Sequence, residues 1–239
     1  MLDNTHRNFS RLLSEELDIP LRYTKLVEDS SIEPNVVDSQ KLALVRFNNH
    51  NYVNGPAICG EYTRTAYILF NHDQFQNYFK NLKTEQKIIK GYKYFSWAIH
   101  HLVDLMSPYH AMPTSVISMQ NHDIFEKIVD GFWSDEFQIQ YIVTAIYDGF
   151  QNVKTISKKG LTESECGSSA VELCKRLANI VSIEYSRLNG YVEVIRLSKE
   201  IDKSTYRGYI ERIRNLTCGF FRQSAYYAKL LSLMVVPEN

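Results

Sequence analysis

No stretch of this chain approaches the roughly eighteen consecutive apolar residues that a membrane-spanning helix needs, so no such helix is expected. The opening residues, MLDNTHRNFSRLLSEELDIP, lack the basic start, unbroken apolar centre and small-residue cleavage site of a signal peptide. A soluble, cytoplasmic protein is therefore expected. Charge of one sign is missing too: 27 Lys and Arg balance 27 Asp and Glu, and no block of like charges stands out. That argues against a broad basic face of the kind that holds nucleic acid, and no nucleic-acid partner is expected. Cysteine is scarce and scattered, at Cys59, Cys166, Cys174 and Cys218, with no Cys-x-x-Cys pair. That argues against a disulfide framework and for buried thiols. Internal repeats, low-complexity tracts and linkers are absent, so residues 1–239 read as one domain with a substantial core.

What the chain does have is helical periodicity. Phe9, Leu12, Leu13 and Leu17 recur at helical spacing after an Asn4-Thr5 start suited to an N-cap, and Pro20 sets the end of that helix. Ile88, Ile89, Tyr92, Phe95, Ile99, Leu102, Val103 and Met106 mark a longer buried helix from 84 to 106, stopped by Ser107-Pro108. Further helices are expected near 122–133, 136–150, 162–187, 189–201 and 203–234. Strand patterning is poor: Leu42 to Phe47 and Tyr62 to Phe70 hardly alternate. The fold class expected is all-α, with one long irregular excursion over 28–83, and loops of that length usually serve a function.

The helix around 97–112, WAIHHLVDLMSPYHAM, carries polar residues where an apolar face belongs. Histidine and aspartate are costly to bury unless they are paired or hold a metal. His100 and Asp104 stand four apart, on one helix face, and Pro108 turns the chain so that His110 returns to the same end. His122 and Glu126 repeat the four-residue spacing on the next helix. A single His-x3-Asp pair is explained by an exposed helix face. Two such pairs with a fifth ligand, set in otherwise apolar helices, point to a divalent metal, with zinc the first choice and another divalent transition metal the alternative.

The order His-x3-Asp-x5-His, with proline two before the last histidine, followed by His-x3-Glu, resembles the bacterial zinc-dependent phospholipase C family. That family includes the clostridial alpha-toxin, and the S1/P1 nucleases share its fold. HHLVDLMSPYHA is similar to the family's HY-x-GD-x-x-x-P-x-H helix at every ligand position, and HDIFEKIVD resembles its second ligand helix. The nucleases usually end that second motif in aspartate, so Glu126 favours the phospholipase branch. Thr5-His6 resembles the family's N-terminal Thr-His helix, and HNYVNG, from His50 to Gly55, its HFYDPDNG-like loop. ECGSSAVELC and FFRQSAYYAKLL are similar to its closing helices.

Carried across residue by residue, the resemblance implies two or three zinc ions. His50, His100 and Asp104 hold one, His110, His122 and Glu126 a second, and His6 with a bridging Asp104 a third. His72 and His101 are left over and read as packing or surface residues. The implied activity is that of a metal-dependent hydrolase, a phosphodiesterase cleaving a phospholipid or a related small-molecule phosphoester, with Asp104 and a second aspartate in the catalytic machinery. Tyr52, Tyr62 and Phe47 lie in the long excursion and could pack against a substrate group, but in a chain with 13% aromatics, core or loop packing is the preferred reading. Two features depart from the family. Its members are secreted and expose an N-terminal tryptophan that completes the third site, whereas this chain starts at Met1 with Trp97 and Trp133 far along the sequence. The family aspartate that follows Gly-Ser-x-x-Pro aligns with Asn35, which cannot take a proton from water. Asp38, twelve residues before His50, is the other candidate for that place. A nuclease, or an intracellular metalloenzyme of a biosynthetic step, stands as the alternative function.

Overall fold

The computed structural model describes residues 3–38, 50–71, 82–113, 117–153, 161–198 and 202–237, with the side chains of 36–38 excepted. The fold is all-helical, and no strand occurs among the described residues. In chain order the helices are α1 (Asp3–Glu16), α2 (Leu21–Ser30), α3 (Glu33–Asp38), α4 (Gly55–Phe70), α5 (Thr84–Asp104), α6 (Pro108–Ala111), α7 (Met119–Phe132), α8 (Glu136–Gln151), α9 (Glu163–Ser182), α10 (Tyr185–Leu197) and α11 (Lys203–Val235). Among the described residues no helix is long and apolar enough to cross a membrane.

Local chemistry explains most of the boundaries. The chain leaves α1 through Asp18, which takes a left-handed φ of 51°. Aspartate is one of the few non-glycine residues that tolerates this region. Ile19 N–H then returns to Ser14 O at 3.0 Å, and Pro20 opens α2. Asp135 and Asp202 cap α8 and α11 by accepting the backbone N–H groups of Phe137 and Gln138, and of Ser204 and Thr205. Thr162 and Glu165 form a reciprocal capping box at α9.

Helix α5 runs through the middle of the molecule. Its Phe95, Ala98, Ile99 and Leu102 are fully buried, and it packs on α2, α4 and α11. Phe9 of α1 meets Phe150 of α8 and Phe221 of α11, each with ring centroids 6.4 Å apart, and closes the core on the other side. Two glycines permit close helix approach. A Cβ at Gly149 would stand 2.2 Å from Arg222 O, where α8 crosses α11. One at Gly60 would stand 2.6 Å from Val171 Cγ2, where α4 crosses α9.

The long irregular excursion expected over 28–83 is not what the structure shows. It contains α3 and the 16-residue α4. The run Tyr62 to Phe70 alternates poorly because it is helical: Cys59, Thr63, Ala66 and Tyr67 are buried one or two turns apart, and Ile68 and Leu69 are buried beside them. Gly55-Pro56, read as loop punctuation, begins the helix, since proline suits its first turn. The helix expected over 162–187 also ends earlier, at Ser182, and α10 starts at Tyr185. Of the four thiols expected to be buried, Cys59, Cys166 and Cys174 are, and Cys218 is partly so.

Candidate metal centre

Most ligand candidates sit near a helix end, with Glu126 in the middle of α7. At the end of α5 the ladder tightens: Met106 N–H bonds Val103 O and Ser107 N–H bonds Asp104 O, both at 3.0 Å. Pro108 begins α6, and His110 and Ala111 return their N–H groups to Ser107 O at 3.0 and 3.1 Å. This tight connection, rather than a simple stop, folds His110 back beneath Asp104. His50 lies at the head of a turn built by Asn51, whose side-chain oxygen accepts Val53 N–H at 2.9 Å and whose carbonyl accepts Gly55 N–H at 2.8 Å. Tyr52 N–H bonds His110 O at 2.8 Å, so the turn is held against α6. His122 and Glu126 face inward from α7, whose N-cap Ser118 accepts Asn121 N–H.

His6, from the first turn of α1, joins from the other side. Its ring stacks on His100, centroids 4.0 Å apart at 21°. The first turn of α1, where the Asn4-Thr5 sequence suggested a cap, is bonded by a residue from another helix. Asp130 of α7 accepts Thr5 N–H at 3.2 Å and Asn4 Nδ2 at 3.0 Å. Trp133, remote in sequence, lies beside this turn and donates its indole N–H to Thr5 Oγ1 at 3.1 Å.

Two groups result. In the first, Asp104 Oδ2 lies 2.6 Å from His50 Nδ1 and 3.2 Å from His100 Nε2, which are themselves 3.0 Å apart. The other carboxylate oxygen, Oδ1, lies 3.1 Å from His6 Nε2 without a hydrogen-bonding angle. In the second, His110 Nε2, His122 Nε2 and Glu126 Oε1 form a triangle with sides of 2.9, 3.1 and 3.1 Å. The groups are joined through His110, whose Nδ1 donates to His50 O at 2.8 Å. None of these seven residues is more than 8% exposed. No family model, curated protein or solved structure matches this chain. The site is therefore judged on its own chemistry.

That chemistry is short of positive charge. A backbone carbonyl can only accept, so the bond from His100 Nδ1 to Ser31 O, 2.6 Å long, puts the ring proton on Nδ1 and a lone pair on Nε2. The bond from His110 to His50 O does the same for His110. Burial lowers the basicity of His6 and His110 and brings His100 down to about 3, although the neighbouring carboxylates pull the other way. Burial pushes the carboxyls of Asp104 and Glu126 up, but their surroundings, His100 foremost for Asp104 and the N-terminal charge followed by His110 and His122 for Glu126, outweigh it and hold both well below the usual carboxylate range. At neutral pH the ionised carboxylates of Asp104 and Glu126 thus have His6, His100 and His110 beside them as uncharged rings. Within the second triangle, His122 can offer one proton at most to the two acceptors His110 Nε2 and Glu126 Oε1. A buried anion without a compensating cation is strongly disfavoured.

The residues fit a metal. Ligand atoms around a tetrahedral zinc with bonds of about 2.0–2.1 Å are roughly 3.3 Å apart, close to the spacing found in both groups. His101 was left over by the spacing argument, because it points about 100° around the helix from His100. The structure nevertheless brings it within 4.8 Å of the ligand atoms of His50, His100 and Asp104. What draws it in is the His50 turn, whose position no local pattern announces. Tyr62 packs against Trp97 and His101, and Tyr52 is 37% exposed beside His50. Asn35 donates from Nδ2 to Asp3 Oδ1 at 3.3 Å, at the start of α1. Asp38 closes α3, but its side chain lies outside the described residues, as do His72 and Phe47.

Proposed function

We propose that this chain is a zinc-dependent hydrolase of phosphoesters, of the phospholipase C type. One observation carries the reading: two adjacent buried groups of metal-ligating atoms, joined through His110 and His50, in which Asp104 offers one oxygen to His50 and His100 and the other to His6. The ligand order, in which the family resemblance was read, supplies the phosphoester. Bound in such a cluster, divalent zinc polarises a phosphoryl oxygen and makes water acidic enough to react near neutral pH.

The chain's own residues have separable tasks. His50, His100 and Asp104 hold one ion, and His110, His122 and Glu126 hold the other. His6, stacked on His100, shares Asp104 with the first group as the ligand of a third. Ser31 O and His50 O fix which nitrogen His100 and His110 offer, a role that commonly changes metal affinity about 10–100-fold when lost. Asp38 takes the proton from the attacking water, and the exposed Tyr52 and Val53 lie beside His50 where the organic part of a substrate would rest.

Asn35 favours a second reading. It occupies the family aspartate's place in sequence, yet its amide is engaged with Asp3. A metalloenzyme of a biosynthetic step, with no need of a proton acceptor there, accommodates that. The test is zinc content by elemental analysis, followed by assays on phosphatidylcholine, bis(p-nitrophenyl) phosphate and denatured DNA. Zinc-dependent release from either of the first two supports the proposal, and activity on DNA alone selects the nuclease. Zinc-loaded protein inert on all three overturns hydrolysis in favour of the biosynthetic reading.

A further inference from the structure

His101 presents a problem that packing does not solve. It is 1% exposed, and its Nδ1 meets no hydrogen-bond partner among the described residues. Leaving a buried polar nitrogen unmet costs about 1–3 kcal/mol. Rings surround it: His50 at 5.1 Å and tilted by 33°, His100 at 5.2 Å edge-on, and Tyr62 at 5.7 Å. An apolar side chain would fill such a place without that penalty. Yet a ligand atom of His101 lies within 4.8 Å of those of His50, His100 and Asp104. Ligands of a four-coordinate zinc stand roughly 3.3 Å apart when bonds are near 2.0–2.1 Å. A ring adjustment of up to about 1.5 Å therefore brings all four to one ion.

We propose that His101 is a direct metal ligand, and that it closes the coordination shell of the ion held by His50, His100 and Asp104. The inference rests on the zinc reading above and divides the labour within it. Four protein ligands are the mark of a closed, structural zinc site, whereas three leave a position for an outside ligand. His50, His100, His101 and Asp104 make the closed site. His110, His122 and Glu126 make the open one, so the phosphoryl group engages there. Asp104, as a member of the closed site, then supports turnover through the architecture it holds.

The test compares wild type, His101→Ala and His101→Phe, each loaded with zinc and, separately, with cobalt(II). The absorption of cobalt(II) in the visible is intense in four-coordinate sites and weak in five- or six-coordinate ones. Wild type is expected to bind at least two ions. Both variants are expected to lose affinity for one ion by about tenfold or more and to lose intensity from one cobalt centre. Free imidazole should restore that intensity in the alanine variant, an effect a packing residue does not produce. The phenylalanine variant keeps the ring contacts to Tyr62 and His50, so it remains informative if the alanine variant folds poorly. Unchanged stoichiometry, affinity and cobalt spectrum in the variants overturn the role of His101 while leaving the zinc reading intact. A wild-type protein that binds no zinc overturns both.

Discussion

A histidine offers one nitrogen according to what its other nitrogen already holds. His100 and His110 each spend Nδ1 on a backbone carbonyl, Ser31 O and His50 O, so each presents a lone pair inward at Nε2. The lone pair of His100 faces Asp104, and that of His110 faces Glu126. Asp104→Asn keeps the shape but removes the charge and places an NH2 among atoms selected for accepting. We expect this variant to lose at least one equivalent of zinc by elemental analysis and to lower turnover by at least about 100-fold, since broken first contacts exceed the 10–100-fold cost of outlying ones. Full activity with full zinc content would refute the assignment. Asp38 separates in the opposite way. Its replacement by asparagine should leave zinc content unchanged while lowering kcat by roughly 10²–10⁴-fold, the usual worth of a positioned proton acceptor. A neutral outcome in a kinetic assay would remove Asp38 from the chemistry.

At the scale of helices, the site depends on contacts between elements that are far apart in the chain. Asp130 lies on α7 one turn beyond Glu126 and two beyond His122, and its carboxylate caps the first turn of α1, which carries His6. It thereby fixes His6 relative to the second ligand group. Asp130→Ala should cost about 0.5–2 kcal/mol, as lost caps do. It should also weaken the least tightly held zinc while sparing the others, which calorimetric titration would resolve; equal affinity at every site would show that α1 needs no such anchor. A harsher case is Gly149→Ala, which drives a Cβ into Arg222 O at the crossing of α8 and α11. Overpacking costs about 1–3 kcal/mol, and because backbone cannot swing aside, we expect the upper part of that range and a midpoint lower by roughly 8 °C in thermal unfolding. Which elements could be read from sequence follows from the same geometry. Helix α5 was legible because Ile99, Leu102, Val103 and Met106 repeat on one face, and the two four-residue ligand pairs were legible because each lies within one helix turn. Helix α4 was not, because its buried Cys59, Thr63 and Ala66 are too small or too polar to mark a face, and its large buried residues, Tyr67, Ile68 and Leu69, are adjacent rather than spaced at a helical period. Nor could spacing reveal the trans cap from Asp130 or the approach of His101 to His50, which depend on where separate helices dock.

Taken whole, the molecule encloses ionised carboxylates, Asp104 and Glu126, at the meeting point of α1, α5, α6, α7 and the His50 turn. These segments meet there through carboxylate and imidazole groups that could hold a cation. Metal should therefore act as a fastener of the fold as well as the centre of its chemistry. A ligand that binds only the folded chain stabilises it by about 4 kcal/mol at a thousand times its dissociation constant. At roughly 2–4 °C per kcal/mol for a chain of this size, zinc should raise the unfolding midpoint by roughly 8–16 °C. Chelation should reverse the shift, and re-addition should restore it. The Asp104→Asn variant supplies the control, because its response to zinc should be smaller by the share of the ion it no longer holds. A wild-type midpoint indifferent to chelator and to zinc would mean that no cation bridges these helices, and that the buried carboxylates are compensated by protons at the expense of stability.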